Sequence, residues 1–140
     1  MKYEILDLDK RSIEIDRCIH TVHRICNVNT GELGGYVEND HNLSQEGDSW
    51  IGFNAIVAGN ALVTDNAKVL GSARVIGNVT IQDNAKITDH AYIINKWDTN
   101  RSTVKDEAHI RGNAYIEGPC HVAGTAKIQD YAVKIGRAHV

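Results

Sequence analysis

Three cysteines, Cys18, Cys26 and Cys120, carry the most reactive side chains of the sequence. Their spacing forms neither a CxxC pair nor another metal-binding cluster, and the sequence contains no Walker, HExxH or GxSxG motif. The odd number of cysteines and the absence of an apolar signal sequence after Met1 favour reduced thiols in the cytoplasm of a host cell. We therefore expect no metal ion and no cofactor. No apolar stretch reaches the ~18 residues needed to span a membrane, so we expect no membrane contact.

The sequence contains a six-residue repeat, and the strands and turns built from this repeat must position any functional side chains. Every sixth residue is Val or Ile at thirteen of thirteen positions, and the fifth residue of each hexad is Ala at ten of thirteen. Gly or Asp occupies the third position of eleven hexads. The Val and Ile positions are 51, 57, 63, 69, 75, 81, 87 and 93, and then 104, 110, 116, 122 and 128.

This period predicts short strands separated by tight corners. Alternation along a strand places the Val or Ile and the preceding Ala on the same, inward side, while Gly, Asp and Asn suit the corners. In an α-helix, residues six positions apart would not lie on one face, because one turn contains 3.6 residues. Three hexads make one triangular coil, and coils stack at about 4.8 Å, the spacing of paired strands.

The repeat from Leu33 to Val133 resembles the hexapeptide-repeat family, whose fold is the left-handed parallel β-helix. Its opening segment, Gly-Glu-Leu-Gly-Gly-Tyr-Val-Glu at 31–38 and then residues 42–50, is similar to that of phage and prophage repeat proteins often described as acyltransferases. We predict an all-β, single-chain, left-handed parallel β-helix of about five coils with a β-rich N-terminal cap.

The sequence divides into three parts. Residues 1–32 lie outside the repeat and alternate like strands, which predicts a β-rich cap over the open edge of the first coil. Residues 33–134 are the predicted β-helix, with a loop insertion at about 95–103. The last six residues, Ile-Gly-Arg-Ala-His-Val, resemble the translation of a sequencing-library adapter, so we expect residues 135–140 not to belong to the natural protein.

Folding the hexads onto a triangle defines three outward faces. The second face has an apolar and aromatic middle, which predicts an exposed contact surface. We expect it to mediate self-association, as a trimer or a two-fold dimer, or to bind a protein partner. This predicted contact surface comprises Ile56, Ile76, Tyr92, Ile94 and Tyr115.

The first face carries a basic stripe, Lys68, Lys86, Arg111 and Lys127. Because the net charge of the chain is −3, this stripe only weakly suggests nucleic-acid binding. The alternative is a solubilising surface that pairs weakly with the neighbouring acidic corner, Asp48, Asp65, Asp83, Asp106 and Glu107. The backbone geometry of a corner itself favours Asp at these positions. The third outward face is mostly neutral and polar.

The insertion adds five residues that a regular coil does not need. Lys96, Trp97 and Arg101 give it an aromatic side chain and two cations, a composition found at binding hot spots. We expect these three residues to contact the partner. The alternative is an insertion that the fold merely tolerates.

The resemblance also implies a possible activity, because hexapeptide acyltransferases use a histidine as general base beside acyl-CoA. His90, His109 and His121 are the candidates here, and no nearby Asp or Glu is obviously placed to orient one of them. We favour a non-enzymatic protein-interaction module, encoded by a phage or prophage, that inhibits a bacterial immune effector or another host factor. The alternative is a trimeric acyltransferase that uses acyl-CoA.

Overall fold

A β-solenoid of about five turns makes up most of the protein, which confirms the predicted fold class. The computed structural model describes residues 1–15, 17–96, 100–135 and 138–139. Three strands follow one another around each coil, and each pairs in parallel with the strand of the next coil, as the six-residue period predicts.

Each face of the solenoid is one parallel sheet. The first-face sheet contains β4 (Trp50–Ile51), β7 (Lys68–Val69), β10 (Lys86–Ile87), β13 (His109–Ile110) and β16 (Lys127–Ile128). The second-face sheet contains β3 (Leu33–Val37), β5 (Ile56–Ala58), β8 (Arg74–Gly77), β11 (Tyr92–Asn95), β14 (Tyr115–Glu117) and β17 (Val133–Ile135). The third-face sheet contains β6 (Leu62–Val63), β9 (Val79–Ile81), β12 (Ser102–Val104), β15 (Cys120–Val122) and β18 (Ala138–His139).

The core is the ladder of thirteen Val and Ile residues. Each is at most 5% exposed, and it stacks on the equivalent residue of the next coil, as Val57 does on Val75 and Val75 on Ile93. Alanines such as Ala67 and Ala85 fill the corners and are fully buried. The interior is therefore narrow, which explains why β-branched side chains suffice without large aromatic residues.

The backbone conformation at the corners explains why aspartates recur in the acidic corner. Asp65, Asp83 and Asp106 have φ angles of 58°, 56° and 59°, which Asp tolerates better than most residues. Each carboxylate also accepts the backbone N–H of the next coil, as in Asp83 N–H to Asp65 Oδ2 at 3.1 Å and Asp106 N–H to Asp83 Oδ2 at 3.1 Å. These aspartates therefore hold coils together.

The N-terminal segment contains an antiparallel hairpin of β1 (Tyr3–Ile15) and β2 (Cys18–Asn27). Strand β2 pairs antiparallel with β3, so the hairpin extends the second-face sheet beyond the first coil. A short 3₁₀ helix, Asp40–Asn42, follows β3 and is capped by the side chain of Asn39. The described part of the chain contains no helix long and apolar enough to cross a membrane.

Arg24 fastens the hairpin to the solenoid. Its guanidinium is sandwiched between the rings of Tyr36 and Phe53, 4.4 and 3.8 Å from their centroids. It donates hydrogen bonds to Asp9 Oδ2, Gly34 O, Phe53 O and the Tyr36 hydroxyl at 2.7 to 2.9 Å. Because Arg24 is only 7% exposed, these bonds are largely shielded from water.

Candidate functional site

The hairpin covers the middle of the second face. Ile56, Ile76 and Ile94 are 1%, 3% and 5% exposed, because they pack against side chains of the hairpin. The prediction that these three isoleucines form an exposed surface is therefore wrong. The covering residues are Ile13, Ile15 and Val22.

The physical reason lies in the alternation of the two hairpin strands. Ile13 is paired with His20 and Ile15 with Cys18, and directly paired residues point to the same side of a hairpin. The same side carries Val22, two residues after His20, which is fully buried. The apolar side of the hairpin thus meets the apolar face of the solenoid within one chain.

Tyr92 and Tyr115 of the predicted contact surface lie at the border of this covered region. They are half-buried against the isoleucine cluster and stack on each other, with ring centroids 5.4 Å apart and an interplanar angle of 27°. These tyrosines therefore remain partly accessible, unlike the three isoleucines.

A cleft of about 460 Å³ remains between the hairpin tip and the solenoid. We call it the hairpin cleft. Its apolar walls are Ile15, Ile76 and Ile94. Its polar lining includes Cys18, His20, Asn60, Asn78, Asn95 and Lys96. The structure thus brings two members of the predicted contact surface together with Lys96 of the insertion in one concave site.

His20 and Glu38 form an ion pair beside this cleft. His20 Nδ1 lies 3.0 Å from Glu38 Oε2, and the side chains are 23% and 27% exposed. Glu38 Oε1 accepts the backbone N–H of Gly59 at 2.7 Å, so the carboxylate is held in place. The arrangement fixes the orientation of the imidazole ring.

Sequence reasoning missed this pair. His20 belongs to the hairpin, outside the repeat, whereas Glu38 follows β3 within it, so the six-residue period does not relate the two positions. Alternation in β2 could have placed His20 on the same side as Val22, but it could not identify the carboxylate that this side meets.

Buried polar contacts next to the cleft hold the two ends of the insertion. Asn95 is fully buried and donates through Nδ2 to Asn78 O, Asn100 O and Ser102 Oγ at 2.7 to 3.1 Å. Ser102 Oγ in turn donates to Gly118 O at 3.0 Å. These bonds join Asn95, at one end of the insertion, to Asn100 and Ser102 at the other.

Arg101 is bonded to the solenoid. Its guanidinium donates to Asn60 O and Val79 O at 2.8 and 3.2 Å and also contacts the Asn78 and Thr80 side chains. Burial lowers the pKa of Arg101 from its ordinary value. Arg101 therefore supports the cleft rim at Asn60 and Asn78. Trp97, the third predicted contact of the insertion, lies outside the described residues.

The basic stripe follows adjacent strands of the first-face sheet. Lys68 is in register with Lys86, Lys86 with His109, and His109 with Lys127. Arg111 donates from Nε to Gln129 Oε1 at 2.8 Å. Within residues 1–15, 17–96 and 100–133, the stripe makes no ion pair within 4.0 Å, but Lys68 Nζ donates to the backbone carbonyl of Asp48 in the acidic corner.

The three histidines considered as general bases lie apart from the cleft. His90 is exposed at a corner, His109 is on the first face and His121 is exposed on the third face. His109 Nε2 lies 2.9 Å from Thr88 Oγ1. Burial, followed by the charges of Arg111 and Lys86, lowers the pKa of His109, which favours its neutral form.

The cysteines differ in accessibility. Cys18 is exposed at the cleft, Cys26 is half-buried, and Cys120 is buried, where burial raises the pKa of its thiol. Among the described residues, no group of three His, Cys, Asp or Glu side chains is placed to hold a metal ion.

Comparison with known protein-family models and with curated proteins gives no match.

Proposed function

We propose that the protein is a non-enzymatic interaction module that binds a segment of a protein partner in the hairpin cleft. The observation that carries this proposal is the convergence of Ile76, Ile94 and Lys96 with the hairpin residues Ile15 and His20 in one cleft. Three separate parts of the chain, the hairpin, the second face and the insertion, contribute to it.

The chemistry of the lining suits an extended peptide segment. The walls at Ile15, Ile76 and Ile94 accept one apolar side chain of the partner, and the side-chain amide of Asn60 offers a donor and an acceptor to its backbone. The anchored hairpin and the bonded root of the insertion hold these walls in place before binding, which reduces the entropy lost on association.

The identity proposed for the partner is a bacterial immune effector or another host factor. It rests on the similarity of residues 31–38 and 42–50 to phage and prophage repeat proteins, and the proposed location is the cytoplasm of the host cell. Self-association through the remaining second-face surface at Tyr92 and Tyr115 is a separate proposal, which light scattering at several concentrations tests.

A blocked cleft tests the binding proposal. Cys18→Trp places a large side chain at the exposed edge of the cleft, whereas Ile19→Trp places the same side chain on the opposite side of β2, where Ile19 is 75% exposed. Each tagged variant and the parent protein are used to capture partners from bacterial lysate, followed by quantitative mass spectrometry. We expect a protein that the parent and Ile19→Trp retain and Cys18→Trp loses by at least tenfold.

The Lys96→Glu variant provides a second measurement on the captured protein, with Lys10→Glu as the matched control on the exposed face of β1. Weaker binding of Lys96→Glu alone supports contact at the rim. If the captured proteins are the same for Cys18→Trp and the parent, the cleft is not the binding site and the proposal is wrong.

The alternative function, acyl transfer from acyl-CoA, is favoured by one observation. The His20–Glu38 pair supplies an imidazole oriented by a carboxylate at the edge of a cleft, the arrangement required of a general base. Such a base would take the proton of an acceptor hydroxyl or amine as its oxygen or nitrogen attacks the thioester carbonyl, and CoA would leave as the thiol.

Isothermal titration with acetyl-CoA separates the two functions. The acyltransferase alternative requires saturable binding, and a His20→Gln variant that retains this binding but loses thiol release with an amine or hydroxyl acceptor. Absence of acetyl-CoA binding to the parent protein contradicts the alternative and leaves the interaction module.

A further inference from the structure

The first face carries a row of basic side chains with regular spacing, in which the lysines are charged and the lowered pKa of His109 favours its neutral form. Lys68, Lys86, His109 and Lys127 occupy equivalent positions on four neighbouring parallel strands. At about 4.8 Å per strand the row is roughly 14 Å long. Arg111 follows β13 and adds a fourth permanent cation beside the row.

The described carboxylates form no ion pair with the row, and Lys68 Nζ donates to the backbone carbonyl of Asp48 rather than to its carboxylate. In the part of the chain for which side chains are described, the ion pairs within 4.0 Å are His20–Glu38 and Arg24–Asp9, and neither involves the first face. The aspartates of the adjacent corner instead accept backbone N–H groups, as Asp65 and Asp83 do. Like charges placed side by side across strands repel each other, so an anion lying on the row would relieve this repulsion.

The behaviour of His109 agrees with a positive potential at the row. Burial is the largest cause of its lowered pKa, Arg111, Lys86 and Lys127 each lower it further, and the opposing effect of Asp89 is smaller than that of Arg111 or Lys86. The field of the neighbouring cations therefore reaches the centre of the row.

A polar pocket adjoins the row at Lys68. It has a volume of about 620 Å³, and Trp50, Lys2, Asn27, Asn29 and Gln45 line it together with Lys68. Glu32 and Asp48 also line the pocket. The pocket therefore combines an aromatic side chain with donors and acceptors suited to the edge of a nucleobase, including carboxylates that can accept from the N3–H of thymine or uracil.

We infer that the first face binds single-stranded nucleic acid, with phosphates along Lys68, Lys86 and Lys127 and one base in the pocket beside Trp50. A row of this length runs beside a few phosphates of an extended single strand. A single strand fits better than a duplex, because a base that is paired and stacked cannot enter the pocket. This surface is separate from the hairpin cleft, so the inference does not depend on the proposed protein-binding function.

Fluorescence anisotropy with 5′-fluorescein-labelled dT12 and U12 at low salt tests the inference. We expect saturable binding that weakens with salt, with a slope of log K against log salt of about −2, from about 0.7 per phosphate. The double variant Lys86→Gln/Lys127→Gln removes two exposed cations and is expected to bind at least tenfold more weakly with a shallower slope. Lys10→Gln/Lys105→Gln, which removes two cations away from the first face, serves as the control and is expected to bind like the parent.

A second measurement reports on the pocket. In a Trp97→Phe background, Trp50 is the remaining tryptophan, and addition of unlabelled dT12 is expected to change its fluorescence. A 12-base-pair duplex is expected to compete at least tenfold less well than dT12.

Three results would overturn the inference: no binding of either oligonucleotide at low salt, equal loss in the two double variants, or equal competition by the duplex. Displacement of dT12 by poly-glutamate of the same charge at equal concentration would also overturn it, since it would identify an acidic protein surface as the better ligand.

Discussion

His20 Nδ1 lies 3.0 Å from Glu38 Oε2, and this contact joins the hairpin to the coil that it covers. Glu38 also accepts the backbone N–H of Gly59 through its other oxygen at 2.7 Å. One carboxylate therefore connects β2, the residue after β3 and the corner that follows β5. This contact lies where the hairpin tip and the second face enclose the cleft.

Removal of this contact should loosen the hairpin tip with little effect on the solenoid. For His20→Ala we expect faster amide hydrogen exchange in residues 12–22 and a loss of about 0.5–1 kcal/mol in global stability, because the pair is partly exposed. Hydrogen-exchange mass spectrometry gives the measurement, and Thr21→Ala, which changes an exposed neighbour, is the control. Unchanged exchange in residues 12–22 would mean that the apolar contacts alone hold the tip.

Arg24 should contribute much more to stability than the exposed arginine of the same hairpin. Arg24→Met retains the packing between Tyr36 and Phe53 but leaves the carbonyl of Gly34 without its donor. We expect a loss of about 2–4 kcal/mol in the free energy of unfolding, measured by urea titration. Arg11→Met should change it by less than about 0.5 kcal/mol, and similar values for both variants would contradict the anchoring role.

The loss of stability on substituting a corner aspartate should depend on whether the new residue tolerates a positive φ and can accept the same hydrogen bond. Asp83→Ala loses both the tolerance for a φ of 56° and the acceptor for the Asp106 N–H. We expect it to cost about 1–2 kcal/mol, and Asp83→Asn less than about half of that, because Asn adopts this conformation and retains an oxygen acceptor. Thermal unfolding of the two variants gives the comparison, and equal losses would show that the negative charge itself matters.

Tyr3 should make the protein less stable in alkali. Burial, with a smaller contribution from Asp40, raises the pKa of Tyr3 to about 12 from 10.0. Its hydroxyl donates to Leu43 O at 2.5 Å, and the neutral form is therefore favoured in the folded state. The contribution is complete below pH 10 and is lost as the pH rises from 10 to about 12, because the unfolded state releases the proton first.

Urea midpoints at pH 8 and pH 11 measure this effect. We expect the parent protein to lose more stability between the two values than Tyr3→Phe, which cannot ionise at this position. The same pH dependence in both proteins would assign the alkaline loss to other groups.

The pKa of His109 should report the charges of its neighbours. Arg111→Gln removes the cation with the largest charge effect on His109, so the pKa of His109 is expected to rise toward its ordinary value. Burial of His109 persists in the variant, and the shift is therefore partial. NMR titration of the imidazole measures it, with Lys105→Gln as a control that should leave the pKa unchanged.

The six-residue period was enough to predict the solenoid. In a repeat of equal coils, residue i lies next to residue i + 18, so the pattern at Val57, Val75 and Ile93 predicts both the inward ladder and the pairing of strands. Corner residues such as Asp83 are predictable for the same reason, because equivalent corners of successive coils need the same positive-φ backbone conformation. The first face, with Lys68 beside Lys86, follows from this rule as well.

The hairpin and the cleft required the tertiary structure. Residues 1–32 contain no repeat, so alternation predicts strands there but does not determine which surface their apolar side meets. Burial of Ile76 and Ile94 depends on that docking, and so does the approach of His20 to Glu38 across a separation of 18 residues. The sequence by itself thus determined the solenoid and its faces, because repeated local geometry sets the neighbours of every coil. Only the tertiary structure decided which face is covered, because the contacts of a unique segment depend on packing between distant parts of the chain.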